Sequence, residues 1–204
     1  MPSSPKIPKE LILKSALKML IREGYSALNI KALAKEIGCS TQPISWHFGN
    51  MDGLRKALAD YALMYANEKM RPSVDDAINA FEQVGRAYIK IALNEPNLFR
   101  FVFLNGSGCY PMGNAEMLTH DNDHAELIKM IADKFQISEQ NAGQYLQDTI
   151  LYTHGLATYI ATGMMCMSEK EIMALINRAG NTFLMRAGVH LKEAEQRYEE
   201  KQNG

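Results

Sequence analysis

Residues 40–47, STQPISWH, hold hydroxyl, amide, indole and imidazole groups around one apolar residue, Ile44. If the segment is helical from Ser40, Ile44 turns inward and Thr41, Gln42, Pro43, Ser45, Trp46 and His47 turn outward. Hydrogen-bonding and flat groups of this kind reach phosphates and base edges, and a short helix that displays them suits the major groove of duplex DNA. The chemistry expected of them is recognition.

Such a helix needs a partner to aim it. In the preceding run, residues 29–37, Ile30, Leu33, Ala34 and Ile37 fall on one side at helical spacing behind Asn29, a good N-cap residue. Gly38 follows the last apolar residue, where a left-handed glycine ends a helix. Ser40 is expected to cap the second helix, with Pro43 in its first turn, where a missing N–H costs nothing. Two short helices joined by such a turn make a helix-turn-helix. Ala34 leaves room for the crossing, and Leu33, Ile37, Cys39 and Ile44 fill the space between. Lys31 and Asn29 on the first helix and Asn50 after the second complete the candidate DNA-binding set. The plain alternative is an amphipathic helical hairpin.

Across residues 12–54 the chain resembles the DNA-binding domain of TetR-family transcriptional regulators. The matching pieces are an opening helix ending in Arg22-Glu23-Gly24-Tyr25, the Ala34 to Gly38 turn, Trp46-His47-Phe48 closing the recognition helix, and Leu54 in the next helix. Two positions depart from the family: Ser45 stands where a tyrosine is usual, and Met51 where a phosphate-binding lysine is usual. The first bears on the operator sequence and the second weakens one backbone contact. The resemblance implies an all-α protein, with a head over residues 1–51 and an effector-binding and dimerisation body over 52–204.

Net charge is -1, but it is unevenly spread. Residues 1–51 carry seven Lys or Arg against three Glu, a balance of +4, which leaves fifteen basic against twenty acidic residues, -5, for the rest. A basic head on an acidic body favours docking of the head on phosphates. The beginning of the chain has no apolar run of signal-peptide type and no segment is apolar enough to span a membrane, so a cytoplasmic protein is expected. Cys39, Cys109 and Cys166 lack metal-ligand spacing and are read as reduced thiols.

Along the chain, the first residues, with proline, serine and lysine, suggest an arm that touches the DNA backbone. Ile12, Ala16, Met19 and Leu20 mark a buttressing helix over 9–23. Tyr25 packs back on it, with a hydroxyl that can reach a phosphate. Asn50 caps a fourth helix over 51–70, which in the resembled family links head to body and is the element through which control acts. Ser73 and Asp76 suggest the next helix start, and Pro96 opens a helix similar to the P-x-L-F-R stretch of TetR-like bodies. Residues 105–113 must be irregular. Helical patterning returns over 116–135, with a break near His120 and His124, whose intervening acidic residues read more easily as a turn and N-cap than as a metal site.

Ser138 opens a long helix to residue 162 that includes a His154-Gly155 pair resembling the family's. Ser168 with Glu171 forms a capping box for the last helix. Those two helices can pair with the same two of a second copy, giving a four-helix homodimer interface. A dimer reads two half-sites, which one small head cannot. A small-molecule effector would lie between body helices, and Phe99, Phe103, Tyr110, Met112, Met117, Tyr152, His154 and Tyr159 are its candidate contacts, although methionine and aromatic residues at helical spacing also serve as core. The family default is a repressor on a palindromic operator, released by its effector. No Gly-rich phosphate loop, Gly-x-Ser-x-Gly elbow, HExxH or paired-cysteine motif is present, so no catalytic residue, metal or cofactor is assigned. The rival from another class is an all-helical protein-interaction adaptor using Trp46 and His47.

Overall fold

In the computed structural model, residues 7–74, 76–104, 108 and 122–189 are described, residues 122–124 by backbone alone. Among them every regular element is helical: α1 Lys9–Glu23, a 3-10 turn Tyr25–Ala27, α2 Ile30–Ile37, α3 Gln42–Phe48, α4 Met51–Met70, α5 Ala77–Asn94, α6 Pro96–Phe103, α7 Asn122–Phe135, α8 Glu139–Ala161 and α9 Glu169–Arg186. The all-α expectation stands. None of these helices is long and apolar enough to cross a membrane.

Two compact units divide the chain. The first takes residues 1–69 and 91–112. Its core is built on α1, whose Ile12, Ala16, Met19 and Leu20 are buried, as are Leu33 and Ala34 of α2, Ile44 of α3, Leu54 and Leu58 of α4, and Leu98, Phe99 and Phe101 of α6. α1 packs on α2, α3 and α6. Asn97 of α6 donates from Nδ2 to the Ile21 carbonyl at 3.0 Å, and Lys69 and Tyr65 of α4 both bond Glu95, the residue before α6. Arg22 of α1 bridges to Glu36 of α2 at 3.1 Å, which holds the Glu36 carboxyl below its ordinary range.

Local signals place most helix ends. Asn29 is extended and its Oδ1 accepts the Ala32 N–H at 2.9 Å, while Gly38 sits at φ 77°, ψ 35°, where the Cys39 N–H turns back to the Ala34 carbonyl. Because α2 is so short, its cap is a large part of its stability. Asn29→Ala is expected to lower unfolding free energy by about 1 kcal/mol, measurable by denaturant titration.

Two expected starts are corrected. Ser40 does not cap α3. Thr41 precedes the helix in αR conformation at φ -71°, ψ -15°, with no side-chain cap. A capping side chain folds over the first turn from an extended residue, and Pro43 has already removed one N–H that would need it. Nor does Ser73 start α5. Asp76 does, accepting the Asn79 N–H at 2.8 Å, while Ser73 donates its N–H to Gln83 Oε1 at 2.9 Å.

The second unit takes residues 70–90 and 113–204. α8 packs between α7 and α9. Ile78, Leu127, Ile131, Ala132, Ala142 and Leu146 form a buried cluster, edged by Phe81, Phe135 and Tyr145. Ser138 caps α8 through the Asn141 N–H, and Ser168 with Glu171 forms the full capping box on α9. The irregular segment expected over 105–113 is described only at Gly108. The pair His120 and His124 and the helical pattern before residue 122 lie outside the described residues, or outside the described side chains.

Candidate nucleic-acid interface

α3 is too short to be stable alone, and what orients it is one residue. Ile44 is 0% exposed, locked against α1 and α2, so the helix cannot rotate without exposing it. The opposite face therefore belongs to Thr41, Gln42, Ser45 and Trp46, all exposed, with Trp46 57% accessible. Ser40 is exposed in the turn and Pro43 is half-buried. An exposed indole beside an amide and two hydroxyls offers donors, acceptors and an apolar plane to a base edge.

The remaining candidates are less free than their residue types suggest. Asn29 and Asn50 are exposed, but their Oδ1 atoms are committed to the Ala32 and Gly53 N–H groups at 2.9 and 3.0 Å. Each acts first as a helix cap. Lys31 is exposed on α2. His47 is half-buried, and its Nε2 lies 3.0 Å from the Ile7 carbonyl oxygen. Lys9, which residue spacing does not single out, stands with Nζ 5.6 Å from the centre of the Phe48 ring.

Near the start of α4, Met51 is half-buried and Arg55 follows one turn later. Its guanidinium donates from Nε to Tyr25 Oη at 2.9 Å and bridges to Asp52 at 2.7 Å. The Tyr25 ring lies 5.1 Å from that of Phe101. Tyr25 is thus held by α4 and α6, and its hydroxyl accepts from Arg55. Gly53, in the first turn of α4, has no room for a side chain: a Cβ there would lie 2.0 Å from the Phe48 carbonyl oxygen. Nothing in residue periodicity marks that approach.

The described effector candidates are divided between the two units. Phe99 is buried and its ring lies 5.1 Å from that of Phe103, both in the first unit. In the second unit Tyr152 meets Phe183 edge-on, 6.1 Å between centres, and Tyr159 is 49% exposed. His154 Nδ1 lies 2.7 Å from Tyr88 Oη, a residue outside the candidate set brought in from 66 positions away. Burial pushes the Tyr88 phenol up and His154 down, so both stay neutral near pH 7. Tyr110, Met112 and Met117 lie outside the described residues. A shallow cleft in the first unit, between residues 23–26 and Asn97, Arg100 and Phe101, is lined by none of the candidates.

Residues 12–58 match the family model described as bacterial regulatory proteins, tetR family. The chain is 30% identical over 76 residues to the tetracycline repressor protein class C of Escherichia coli, a match covering 37% of this chain and 35% of that repressor, about a third of its length. Among solved structures, a TetR variant from Acinetobacter baumannii AYE in complex with minocycline superposes with TM-score 0.55 at 19% identity, covering 88% of this chain and 96% of that one. BioQ with its double-stranded DNA operator superposes with TM-score 0.51 at 17% identity, covering 86% and 98%. At such identities the two structures bear on fold alone, and the match over residues 12–58 bears on the head that presents α3. Over that head, residues 12–58, the chain matches the tetR family of bacterial regulatory proteins.

Proposed function

We propose that this chain is a DNA-binding transcriptional repressor that grips a palindromic operator as a homodimer and is released by a small-molecule effector. The observation that carries the reading is the division of α3, with Ile44 fully buried and Thr41, Gln42, Ser45 and Trp46 displayed on the other side. Residues 1–51 would contact DNA, and residues 52–204 would dimerise and bind the effector in the cytoplasm. The A. baumannii relative holds minocycline and BioQ holds an operator, which supports both halves of the reading.

A surface for the second copy is available on α8. Leu151 and Tyr159 are 44% and 49% exposed, and Gly155 lies midway between them at helical spacing. Large apolar groups flanking a glycine make a stripe onto which another helix can pack closely. Within the first unit, the bonds of Lys69 and Tyr65 to Glu95 tie α4 to the start of α6. A ligand that prefers one packing of the body shifts the pair of heads between two spacings, and only by its difference in affinity for the two states.

Selection of bound duplexes from a random pool tests the reading. It is supported if a palindromic sequence is enriched and retention falls steeply with salt, and it is sunk if no duplex is retained at low salt. Gln42→Ala is expected to alter the enriched sequence, and Lys31→Ala to weaken all sequences alike. An unchanged enrichment profile for Gln42→Ala would remove it from the base-reading set.

A further inference from the structure

His47 spends its ring on its own chain. A carbonyl oxygen only accepts, so the Nε2 atom 3.0 Å from the Ile7 oxygen carries the proton and donates. In the neutral ring Nδ1 is then an acceptor, which a phosphate oxygen cannot use. Two residues after Ile7, at the first position of α1, Lys9 is exposed and its ammonium stands over the Phe48 ring. Among the described residues no acidic side chain is paired with it. Two adjacent residues at the end of α3 therefore hold the entry to α1 and set a positive charge beside the recognition helix.

We propose that Lys9 is a contact to the DNA phosphate backbone and that His47, through its hydrogen bond to Ile7, is the residue that positions it. This rests on the DNA-binding role given to α3 and adds a contact and a division of labour to it. Trp46 faces DNA, whereas His47 acts on the complex only through the segment it pins. A lysine that merely stabilises the end of α3 would leave the salt dependence of binding untouched. A phosphate contact cannot, because neutralising a phosphate releases a counterion.

The test uses the full chain, the duplex enriched from the random pool and an unrelated duplex, with affinity measured over a salt series. Lys9→Gln is expected to weaken binding to both duplexes by about fivefold at 0.15 M salt and to flatten the plot of log affinity against log salt by about one unit. His47→Phe keeps a ring without a donor, and the same flattening is expected. The double variant should be no flatter than either single one. His47→Gln, whose amide nitrogen is as many bonds from the backbone as Nε2, should return the slope to that of the parent protein. If His47→Phe does not fold, His47→Asn, one bond too short to reach Ile7, replaces it.

An unchanged slope in Lys9→Gln overturns the proposal, and so do flattenings that add in the double variant. A change of enriched sequence in His47→Phe at constant slope would instead make it a base-reading residue. Should the parent protein bind neither duplex, the DNA reading itself falls and takes this contact with it.

Discussion

Gly53→Ala is expected to cost this protein about 2 kcal/mol of stability and at least about tenfold in operator affinity. Inside an exposed helix the same replacement normally helps, by up to about 1 kcal/mol, because alanine is the better helix former. The sign reverses at Gly53 because the added Cβ would stand 2.0 Å from the carbonyl oxygen of Phe48. That oxygen is backbone, and it already accepts the Asn50 N–H at 2.9 Å, so it cannot swing away as a side-chain tip would. Either α4 must lift or the end of α3 must move, and the second displaces the surface proposed to face DNA. Gly85→Ala is the control. It lies in α5 with open space around the would-be Cβ, and a small gain in melting temperature is expected. Thermal unfolding of both variants and operator titration decide the matter. A Gly53→Ala protein as stable and as tightly bound as the parent would mean that the corner between α3 and α4 yields freely.

In the homodimer proposed above, Leu151→Glu is expected to halve the apparent mass in solution, from a pair of 22.9 kDa chains to one, and to weaken operator binding by roughly a hundredfold. Leu151 is 44% exposed within one chain, so the substitution removes little from that chain's own core. In a pair joined along α8 it would strand a carboxylate against the apolar stripe that includes Tyr159. The loss of affinity follows from avidity, because two joined heads bind the second half-site as an intramolecular event. Sedimentation and circular dichroism separate the outcomes. Unchanged helicity with halved mass supports the α8 seam, whereas an unchanged mass with unchanged helicity places the seam elsewhere.

Features governed by a few neighbouring residues were legible in the sequence. Asn29, Ser138 and the Ser168–Glu171 box cap the helices expected of them, and α4 runs from Met51 to Met70 as its cap and the following Pro72 suggest. Gly38 is left-handed because the turn between α2 and α3 requires it. Capping failed as a guide at Ser40, before Pro43, and at the expected pair Ser73 and Asp76, of which Asp76 alone caps the helix. The outward face of α3 was legible because one buried isoleucine in a short helix fixes the rest. What periodicity could not reveal were contacts between distant residues. His47 reaches Ile7 across 40 positions, Tyr88 reaches His154 across 66, and Asn97 reaches Ile21 across 76. For the aromatic residues chosen as ligand contacts periodicity could not separate lining from core, since burial of rings at helical spacing also satisfies the core, as Phe99 against Phe103 does.

The half-exposed indole of α3 has a practical corollary. Trp46 is the single tryptophan of the chain. Ultraviolet emission excited near the red edge therefore comes from the exposed face of α3 and nowhere else, and its intensity is expected to track occupancy of that face without any dye. A compound bound elsewhere would leave that signal unchanged unless α3 itself changed surroundings, so the unlabelled molecule can report whether a compound reaches α3.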